Sequence, residues 1–435
     1  MADGYLVRRI ETDTILVVGA GPSGMMAAGR AAEAGARVVL VEKNRRPGRK
    51  LLVTGGGRCN VTTAITDRHL LVSRYGPRAA GLHSPFSRFT PADMREFLRS
   101  HGLETKVENE SRVFPITDSA ASVRALLESY LAEGGVDLRT GTTVTEIRAE
   151  GRRVTEVVLA SGQLLEADAV ILATGGTSRP ETGSTGDGLH WLESLGHEVR
   201  LPEPSLVPVA VREEWPSRLQ GLGLAEVKLI VALDGKRQLD ATGKLLFTHF
   251  GLSGPLVLNL SQQINELAQG GPVELRLDLF PTTDGGELTR SLQGLFDESG
   301  SKKLRNAIGR LVAPRLAGVV LERSGVDGET RCHSVGKDSR RLLAQTLKGL
   351  SMTFASLLGA DRAVVSSGGV SPDEIDFRTM ASKRYDNLYV TGDMIDVDRQ
   401  SSGFSLQLCW STGWVAGESA ATALPPGREA ERSST

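Results

Sequence analysis

Uninterrupted hydrophobic runs along the chain predict buried parallel strands, and each run ends in glycine or an acidic residue. Residues 14–18 and 38–41 are two such runs. Between them lie a glycine-rich turn at 19–24 and small residues at 25–34, which predict a helix packed closely on a sheet. Together these segments predict a βαβ unit of about 30 residues. Similar strands are predicted at 169–173 and 387–390.

Other periodic segments divide the chain into regions of different character. Further helices are predicted at 91–101, capped by Thr90, at 122–133 and at 411–421, and a β-hairpin at 154–167. From about Leu201, prolines punctuate short alternating runs, which predict a separate and mostly β domain. Between 284 and 348 the pattern becomes helical, with apolar residues at Leu304, Ile308, Leu311 and Val312. A strand is expected at 363–367, and the polar tail at 425–435 is predicted to be disordered.

Composition excludes several classes of protein. The 435 residues are 40% hydrophobic and 24% charged, which excludes a mostly disordered chain. Lys and Arg number 51 against 52 Asp and Glu, so no global basic field would attract nucleic acid or an anionic membrane. No apolar stretch is long enough to span a membrane or to act as an N-terminal signal, so we expect a cytoplasmic protein.

The cysteines point away from thiol and metal chemistry. Cys59, Cys332 and Cys409 are far apart and form no C-x-x-C motif. A disulfide framework, a zinc cluster and a paired-cysteine redox centre are therefore not expected. No metal site is predicted.

The turn at 19–24 reads G-x-G-x-x-G in the context that a dinucleotide fingerprint requires, between a strand and a helix. Gly19 would make the tight turn, Gly21 would let the backbone approach a pyrophosphate, and Gly24 would let helix and strand pack closely. Glu42 ends the next strand, where it would accept hydrogen bonds from a ribose diol. This motif leaves NAD and FAD as alternatives.

Two later segments favour FAD. Residues 170–176 form a strand ending in glycines, and residues 388–393 form a strand followed by Gly392 and Asp393, as in FAD enzymes. All these turns follow predicted strands, whose carboxyl ends form the ligand crevice of an open α/β sheet. No second fingerprint is present, so a dedicated NAD(P)H domain and a disulfide reductase are not expected.

A second glycine-rich loop, at 55–60, adds candidate chemistry. Its three consecutive glycines would let backbone amides approach a flavin or a phosphate. Arg58 and Lys50 could hold a phosphate or stabilise a reduced flavin, or they could be solvated surface charges. Cys59 is interpreted as a small structural residue rather than a nucleophile, while Asn60 fits either a flavin contact or a turn.

With these motifs in view, the sequence resembles the bacterial flavoproteins often called aminoacetone-oxidase-like, or NAD(P)/FAD-dependent oxidoreductases with an insert domain. The matching segments are 42–44, 48–52, 54–62, 102–115, 173–176, 182–188, 246–255, 367–370, 396–398 and 407–413. Two departures stand out. Members usually have Gly-Glu where this chain has Gly392-Asp393, and Gly-Tyr-Asn where it has Gly403, Phe404 and Ser405.

The resemblance implies an α/β protein with a glutathione-reductase-type, Rossmann-like FAD-binding domain and an inserted β-barrel-like domain that carries a small helical subdomain. The expected boundaries are 1–196 with 365–435 for the FAD-binding domain, 197–283 with 349–364 for the barrel, and 284–348 for the helical subdomain. It also places the loop of His249 at the active site, so His249 and Asn60 are the candidate catalytic residues. The residues predicted to bind the cofactor are Gly19, Gly21, Pro22, Ser23, Gly24, Glu42, Lys43, Arg49, Lys50, Gly55, Gly56, Gly57, Arg58, Cys59, Asn60, Val144, Ala173, Thr174, Gly175, Gly392, Asp393, Gly403, Phe404, Ser405 and Leu406.

The expected activity is hydride transfer between a small organic substrate and the N5 atom of non-covalently bound FAD. Amine oxidation and reduction of conjugated double bonds both remain open, and NAD(P)H is a possible transient donor. The alternatives are a tRNA-modifying flavoprotein and a non-catalytic FAD-binding sensor. Neither a nucleic acid nor a membrane is expected as a partner, and the oligomeric state is open.

Overall fold

A computed structural model describes residues 7–9, 14–359 and 365–424. The chain forms two compact units, which we call unit 1 and unit 2. Unit 1 comprises Met1–Pro204 with Val364–Thr435, and unit 2 comprises Ser205–Ala363. The predicted disordered tail at 425–435 lies outside the described residues, as does most of the N-terminal segment.

Strands supply the frame of both units. They are β1 Val7–Arg9, β2 Thr14–Val18, β3 Arg37–Glu42, β4 Thr62–Thr63, β5 Thr105–Glu108, β6 Arg112–Pro115, β7 Asp137–Thr140, β8 Val144–Glu150, β9 Arg153–Leu159, β10 Leu164–Glu166, β11 Ala169–Leu172, β12 Val199–Ser205, β13 Val209–Val211, β14 Gly223–Leu233, β15 Lys236–Thr248, β16 Gly251–Ser253, β17 Val273–Asp278, β18 Leu350–Leu357, β19 Val365–Val370, β20 Ile375–Asp376, β21 Ala381–Ser382 and β22 Leu388–Val390.

The α-helices are α1 Pro22–Glu33, α2 Arg68–Ser73, α3 Pro85–Arg88, α4 Pro91–Ser100, α5 Ala120–Glu133, α6 Asp187–Ser194, α7 Pro255–Ala268, α8 Gly285–Ser299, α9 Leu304–Ile308, α10 Pro314–Ser324, α11 Lys337–Lys348 and α12 Phe404–Ala423. The predicted cap of α4 is present, because the Thr90 side chain and Asp93 form a reciprocal capping box.

Unit 1 is built on a seven-stranded sheet in the order β20-β21-β22-β11-β2-β3-β7. The five strands from β22 to β7 are parallel, so their carboxyl ends share one edge of the sheet. Strands β2 and β11 are buried along their whole length, as their continuous apolar sequences predict. This is a mixed α/β fold with a Rossmann-type nucleotide-binding domain, as expected.

Helices α1 and α12 pack against each other through glycines, which bring the middle of α12 against the first two turns of α1. A Cβ atom at Gly413 would lie 2.4 Å from the carbonyl oxygen of Ser23. A Cβ atom at Gly417 would lie 2.3 Å from that of Ala27. Only glycine permits these two helix backbones to approach so closely.

Unit 2 contains a closed barrel in the strand order β13-β16-β15-β14-β17-β18. Every second residue in the middle of β14 is buried. Val227, Leu229 and Val231 therefore contribute to a hydrophobic core. Helices α7 to α11 belong to the same unit, and their apolar faces extend that core. Among the described residues of both units, no helix combines the length and the apolar character needed to cross a membrane.

Two predicted elements differ from the structure. The apolar positions from Leu304 to Val312 predict one helix, but α9 stops at Ile308 and Gly309 follows it. The last helix begins at Phe404 rather than at 411, because its first turns bury polar side chains that hide the helical pattern. The division into three domains stays a prediction.

Candidate nucleotide site

The turns that follow the central strands meet at one edge of the unit 1 sheet. The amide of Gly19 donates to the carbonyl of Val41 at 2.8 Å, and that of Ala173 donates to the carbonyl of Val18 at 2.9 Å. The amide of Thr391 donates to the last carbonyl of β11 at 3.1 Å. The structure therefore brings together the predicted site segments at 19–24, 42, 173–175 and 391–393.

The three fingerprint glycines have different surroundings. A Cβ atom at Gly24 would lie 1.8 Å from the carbonyl oxygen of Gly19, and a Cβ atom at Gly19 would lie 2.7 Å from that of Ala173. At both glycines, backbone atoms occupy the space that a Cβ atom would need. At Gly21, by contrast, no atom lies within 4 Å of the Cβ position. Open space at this glycine is what close approach of a ligand to the backbone requires.

The start of α1 presents unsatisfied donors beside that space. Gly21 is the N-cap, Pro22 is the first helical residue, and no side chain caps the helix. The Ser23 hydroxyl is buried and has no hydrogen-bond partner among the described residues. A helix N-terminus with free amides and an unpartnered hydroxyl fits an anionic ligand such as a diphosphate.

Glu42 connects β3 to the glycine turn. Its Oε2 accepts a hydrogen bond from the backbone amide of Ala20 at 2.9 Å. Its Oε1 accepts hydrogen bonds from the backbone amide and the side-chain amide of Asn44, at 2.8 and 2.7 Å. Arg49 donates a hydrogen bond to the side-chain oxygen of Asn44 at 3.0 Å. Oε2 can accept one further hydrogen bond, so a contact to a ribose diol is compatible with this arrangement.

Two lysines flank the same region. The Lys43 ammonium contacts the Asp187 carboxylate at 2.7 Å. The Lys50 ammonium donates to the Ser178 hydroxyl at 3.1 Å. Burial lowers the pKa of Lys50, the charge of Asp393 opposes that shift, and the charge of Arg399 adds to it. Lys50 is thus a partly desolvated cation close to other site residues.

The triple-glycine loop turns through three consecutive residues with positive φ, a conformation that favours glycine. Gly55, Gly56 and Gly57 have φ values of +56°, +68° and +88°, and no atom lies within 4 Å of the Cβ position of Gly56. Cys59 follows with φ +62° and is fully buried. Burial raises the pKa of Cys59 to about 12, so its thiol is neutral, which supports the structural interpretation.

The side chain of Arg58 points to carboxylates outside the glycine loop. Its guanidinium contacts Glu108 at 2.5 Å and Asp118 at 2.6 Å and lies 4.1 Å from the ring centre of Phe114. The hydrogen bond that Arg58 donates to Glu108 is the main cause of the raised pKa of Arg58. A cofactor contact by this side chain stays a prediction and would require it to leave these partners. Asn60 accepts a hydrogen bond from a backbone amide of β6 at 3.2 Å.

The C-terminal segment completes the site. The amide of Gly392 donates to the Thr412 hydroxyl at 2.9 Å. Gly403, with φ +89°, caps α12, and a Cβ atom there would lie 2.4 Å from the carbonyl oxygen of Thr62. Close backbone contact therefore requires glycine at this position. Phe404 and Leu406 are buried at the start of the helix.

Two polar residues of the segments that support the family resemblance, Gln407 and Asp396, make contacts that the sequence did not predict. Buried Gln407 accepts a hydrogen bond from the Thr62 hydroxyl at 2.5 Å. The carboxylate of Asp396 is buried and contacts both Arg78 and Arg200. The partners in each of these contacts are far apart in the sequence, so no local motif predicts the contacts.

The remaining predicted residues occupy two different places. Buried Val144 begins β8, shortly after Thr142, whose amide donates to the carbonyl of Glu42 at 2.9 Å. His249 belongs to unit 2, in the turn between β15 and β16, with its ring 4.8 Å from that of Phe250. Its catalytic role stays a prediction. Across the ranges 7–9, 14–359 and 365–424, no cluster of side chains is suited to hold a metal ion.

Comparison with known proteins assigns this architecture to a family. The family profile described as "HI0933-like protein Rossmann domain" matches residues 13–419. A 3-dehydro-bile acid delta(4,6)-reductase of Clostridium scindens is 29% identical, over 93% of this chain and 98% of its own. A ribosomal RNA dihydrouridine synthase of Escherichia coli is 28% identical, over 93% of this chain and 96% of its own.

Solved structures agree at the level of the fold. A 3-ketosteroid delta1-dehydrogenase from Sterolibacterium denitrificans superposes with a TM-score of 0.54 at 15% identity, over 95% of this chain and 100% of its own. A 3-ketosteroid-delta4-(5alpha)-dehydrogenase from Rhodococcus jostii gives 0.53 at 14% identity, over 97% and 98% of the two chains. At these identities, the similarity extends to the fold alone.

Proposed function

This chain belongs to the HI0933-like Rossmann family and is an FAD-dependent oxidoreductase, and from that premise we propose that it reduces a carbon–carbon double bond conjugated to a carbonyl group. The preferred substrate is a small organic molecule. Amine oxidation, which the resemblance to aminoacetone-oxidase-like proteins suggests, is the less favoured direction.

The observation that carries this proposal is the chemistry shared by two relatives with very different substrates. One is named as a bile acid delta(4,6)-reductase and the other as a dihydrouridine synthase. Both names describe hydrogen added across a double bond that is conjugated to a carbonyl. Such a reduction needs a hydride at one carbon and a proton at the other, and a bound flavin supplies the hydride.

The residues of unit 1 would bind and orient the cofactor. The open space at Gly21, the start of α1 and the unpartnered Ser23 hydroxyl fit its diphosphate. Gly56 and its neighbours would approach it by their backbone amides. Asn60 and His249 are the candidate groups for donating or directing the proton. NAD(P)H is the proposed donor, bound transiently because the sequence holds one dinucleotide fingerprint.

Anaerobic spectroscopy of the purified protein tests this function. We expect absorption bands of oxidised flavin, bleaching by NADPH or NADH, and recovery of the bands when an enone such as 2-cyclohexenone or a 3-keto-Δ4 steroid is added. Bleaching by a primary amine, with no recovery on adding any enone, would reverse the assigned direction. A colourless protein that fails to bind added FAD would refute the flavin site itself.

A second candidate substrate, uracil in RNA, is favoured by an uneven charge distribution. Residues 302–348 contain 11 Lys and Arg against 4 Asp and Glu, a net charge of +7 in a chain whose net charge is −1. Lys302, Lys337 and Arg341 are exposed within this segment. Such a surface would attract phosphate backbones. The same segment contains no Phe, Tyr or Trp that could stack on a base.

RNA binding distinguishes the two candidates. If RNA is the substrate, replacing Lys302, Lys337 and Arg341 together by Glu should weaken binding to a ribosomal RNA fragment by at least tenfold and flatten its salt dependence. Lys236→Glu, an exposed charge reversal on the barrel of the same unit, is the control. Equal RNA binding by both variants and the parent protein would leave the small-molecule proposal standing alone.

A further inference from the structure

The guanidinium of Arg399 is buried in unit 1, where a charged group is unfavourable unless other polar groups pair with it. Its side chain is 1% exposed. It lies between the Gly392-Asp393 turn and the start of α12, two segments predicted to contact the cofactor. A buried arginine needs hydrogen-bonding partners, because the removal of its charge from water is unfavourable.

Arg399 binds both cofactor segments at once. Its Nη2 atom lies 2.8 Å from the Asp393 Oδ1 atom, and its Nε atom donates to the Ser405 hydroxyl at 3.1 Å. Its Nη1 atom donates to the carbonyl of Val397 at 3.0 Å. The planar fork of an arginine therefore fixes the distance between the Asp393 carboxylate and the first turn of α12.

Both departures from the family pattern converge on this side chain. Asp393 and Ser405 stand where the resemblance to aminoacetone-oxidase-like proteins implies Glu and Asn. Each replacement is shorter than the usual residue, and each replaced side chain contacts Arg399. Both of these side chains are partners of the Arg399 guanidinium.

Arg399 shares its surroundings with a carboxylate and a buried lysine. Its guanidinium lies against Asp393, whose charge also opposes the lowering of the Lys50 pKa by burial. Glu181 also acts on Lys50, but it is exposed and screened by solvent. Cys409 is buried nearby, and burial raises the pKa of its thiol, so it adds no negative charge. Arg399 therefore places a buried positive charge beside the Asp393 turn.

We propose that Arg399 is a positioning residue that also tunes the reduction potential of the bound flavin. It aligns Asp393 with the start of α12, and its charge favours the reduced cofactor, which carries more negative charge than the oxidised one. The proposal rests on the flavin site and is independent of which substrate the enzyme reduces.

The test compares Arg399→Gln and Arg399→Lys with the parent protein, each loaded with FAD and without substrate. The two-electron midpoint potential is measured by dithionite reduction against a reference dye, and sulfite binding to the flavin is titrated. We expect the Gln variant to bind sulfite about tenfold more weakly and its potential to fall by about 30 mV, the two-electron equivalent of a tenfold change. The Lys variant should keep the potential, because it keeps the charge.

Arg152→Gln is the matched control, since Arg152 forms an exposed ion pair with Asp386 in the same unit. It should change neither quantity. A Gln variant with the parental potential, or a Lys variant shifted as far as the Gln variant, would overturn the proposal. If the Gln variant does not retain FAD, the Lys variant decides between these outcomes. A potential that shifts as expected in an enzyme inactive on every enone would refute the proposed function and leave this inference intact.

Discussion

Two alanine substitutions in one turn should have opposite effects, because Gly21 and Gly24 face different surroundings. At Gly24, a methyl group would lie 1.8 Å from the carbonyl oxygen of Gly19, a backbone atom that cannot move without opening the turn. Overpacking typically costs 1–3 kcal/mol, so we expect Gly24→Ala to destabilise the cofactor-free protein by about 3 kcal/mol or more.

At Gly21, the folded protein should tolerate the methyl group while the cofactor should not. Its φ of −79° and ψ of −176° suit any residue, and no atom lies within 4 Å of the Cβ position. The stability of the cofactor-free protein should therefore change by less than about 1 kcal/mol, since the entropic gain and the weaker helix cap offset each other.

Binding of FAD should separate the two variants. At a ligand concentration of 100 Kd, a bound cofactor stabilises the protein by about 2.7 kcal/mol. A hundredfold weaker affinity in Gly21→Ala would reduce that gain to about 0.4 kcal/mol. The assay is urea unfolding with and without FAD, together with FAD fluorescence titration. Parental FAD affinity in Gly21→Ala, or a loss of apoprotein stability as large as that of Gly24→Ala, would refute the reasoning.

Three further predictions concern packing, pH and a buried carboxylate. Gly417→Ala should destabilise the protein by about 1–3 kcal/mol in urea unfolding, because its methyl group would meet the backbone of α1. Gly318→Ala is the control, because no atom lies within 4 Å of its Cβ position in α10. It should be neutral or stabilising by up to about 1 kcal/mol. The raised pKa of Cys59 should make the free energy of unfolding fall as the pH rises from about 9 towards 12, because the thiol ionises first in the unfolded protein. Cys59→Ala should remove that part of the pH dependence. Equal slopes of unfolding free energy against pH in both proteins would contradict the assignment. Asp396→Ala should cost about 1–3 kcal/mol by leaving the buried amide of Gly368 unpaired, while its arginine partners can return to water; Asp396→Asn, which can keep an acceptor for that amide, should cost less.

The nucleotide-binding turn was predictable because its causes are local. Continuous apolar strands, small residues in α1 and glycines at fixed spacing all act within about 30 residues. The structure shows the same turn. Backbone atoms occupy the Cβ positions of Gly19 and Gly24, and the space at the Cβ position of Gly21 is empty. Glu42 ends its strand where the spacing placed it, although its contact with Ala20 was not foreseen.

Residues that depend on distant partners were less predictable. Arg58 lies in the expected loop, but its direction is set by Glu108 and Asp118, which are 50 and 60 residues away. The start of α12 was missed because Gln407 is polar, and a polar residue early in a helix suggests solvent. Its burial becomes favourable only through hydrogen bonds to Thr62 and Ser411, which the sequence does not reveal.

The cofactor should also contribute to folding, because unit 1 holds features that are costly without it. The Ser23 hydroxyl is buried without a partner among the described residues, the amides at the start of α1 lack a side-chain cap, and burial lowers the pKa of the Lys50 ammonium. Each of these features disfavours the folded apoprotein and favours an anionic ligand. A protein shaped in this way should retain FAD through purification, and removal of FAD should loosen α1 and α12 before it affects the barrel of unit 2. Amide hydrogen exchange that accelerates equally in both units would show that the cofactor acts on global stability instead.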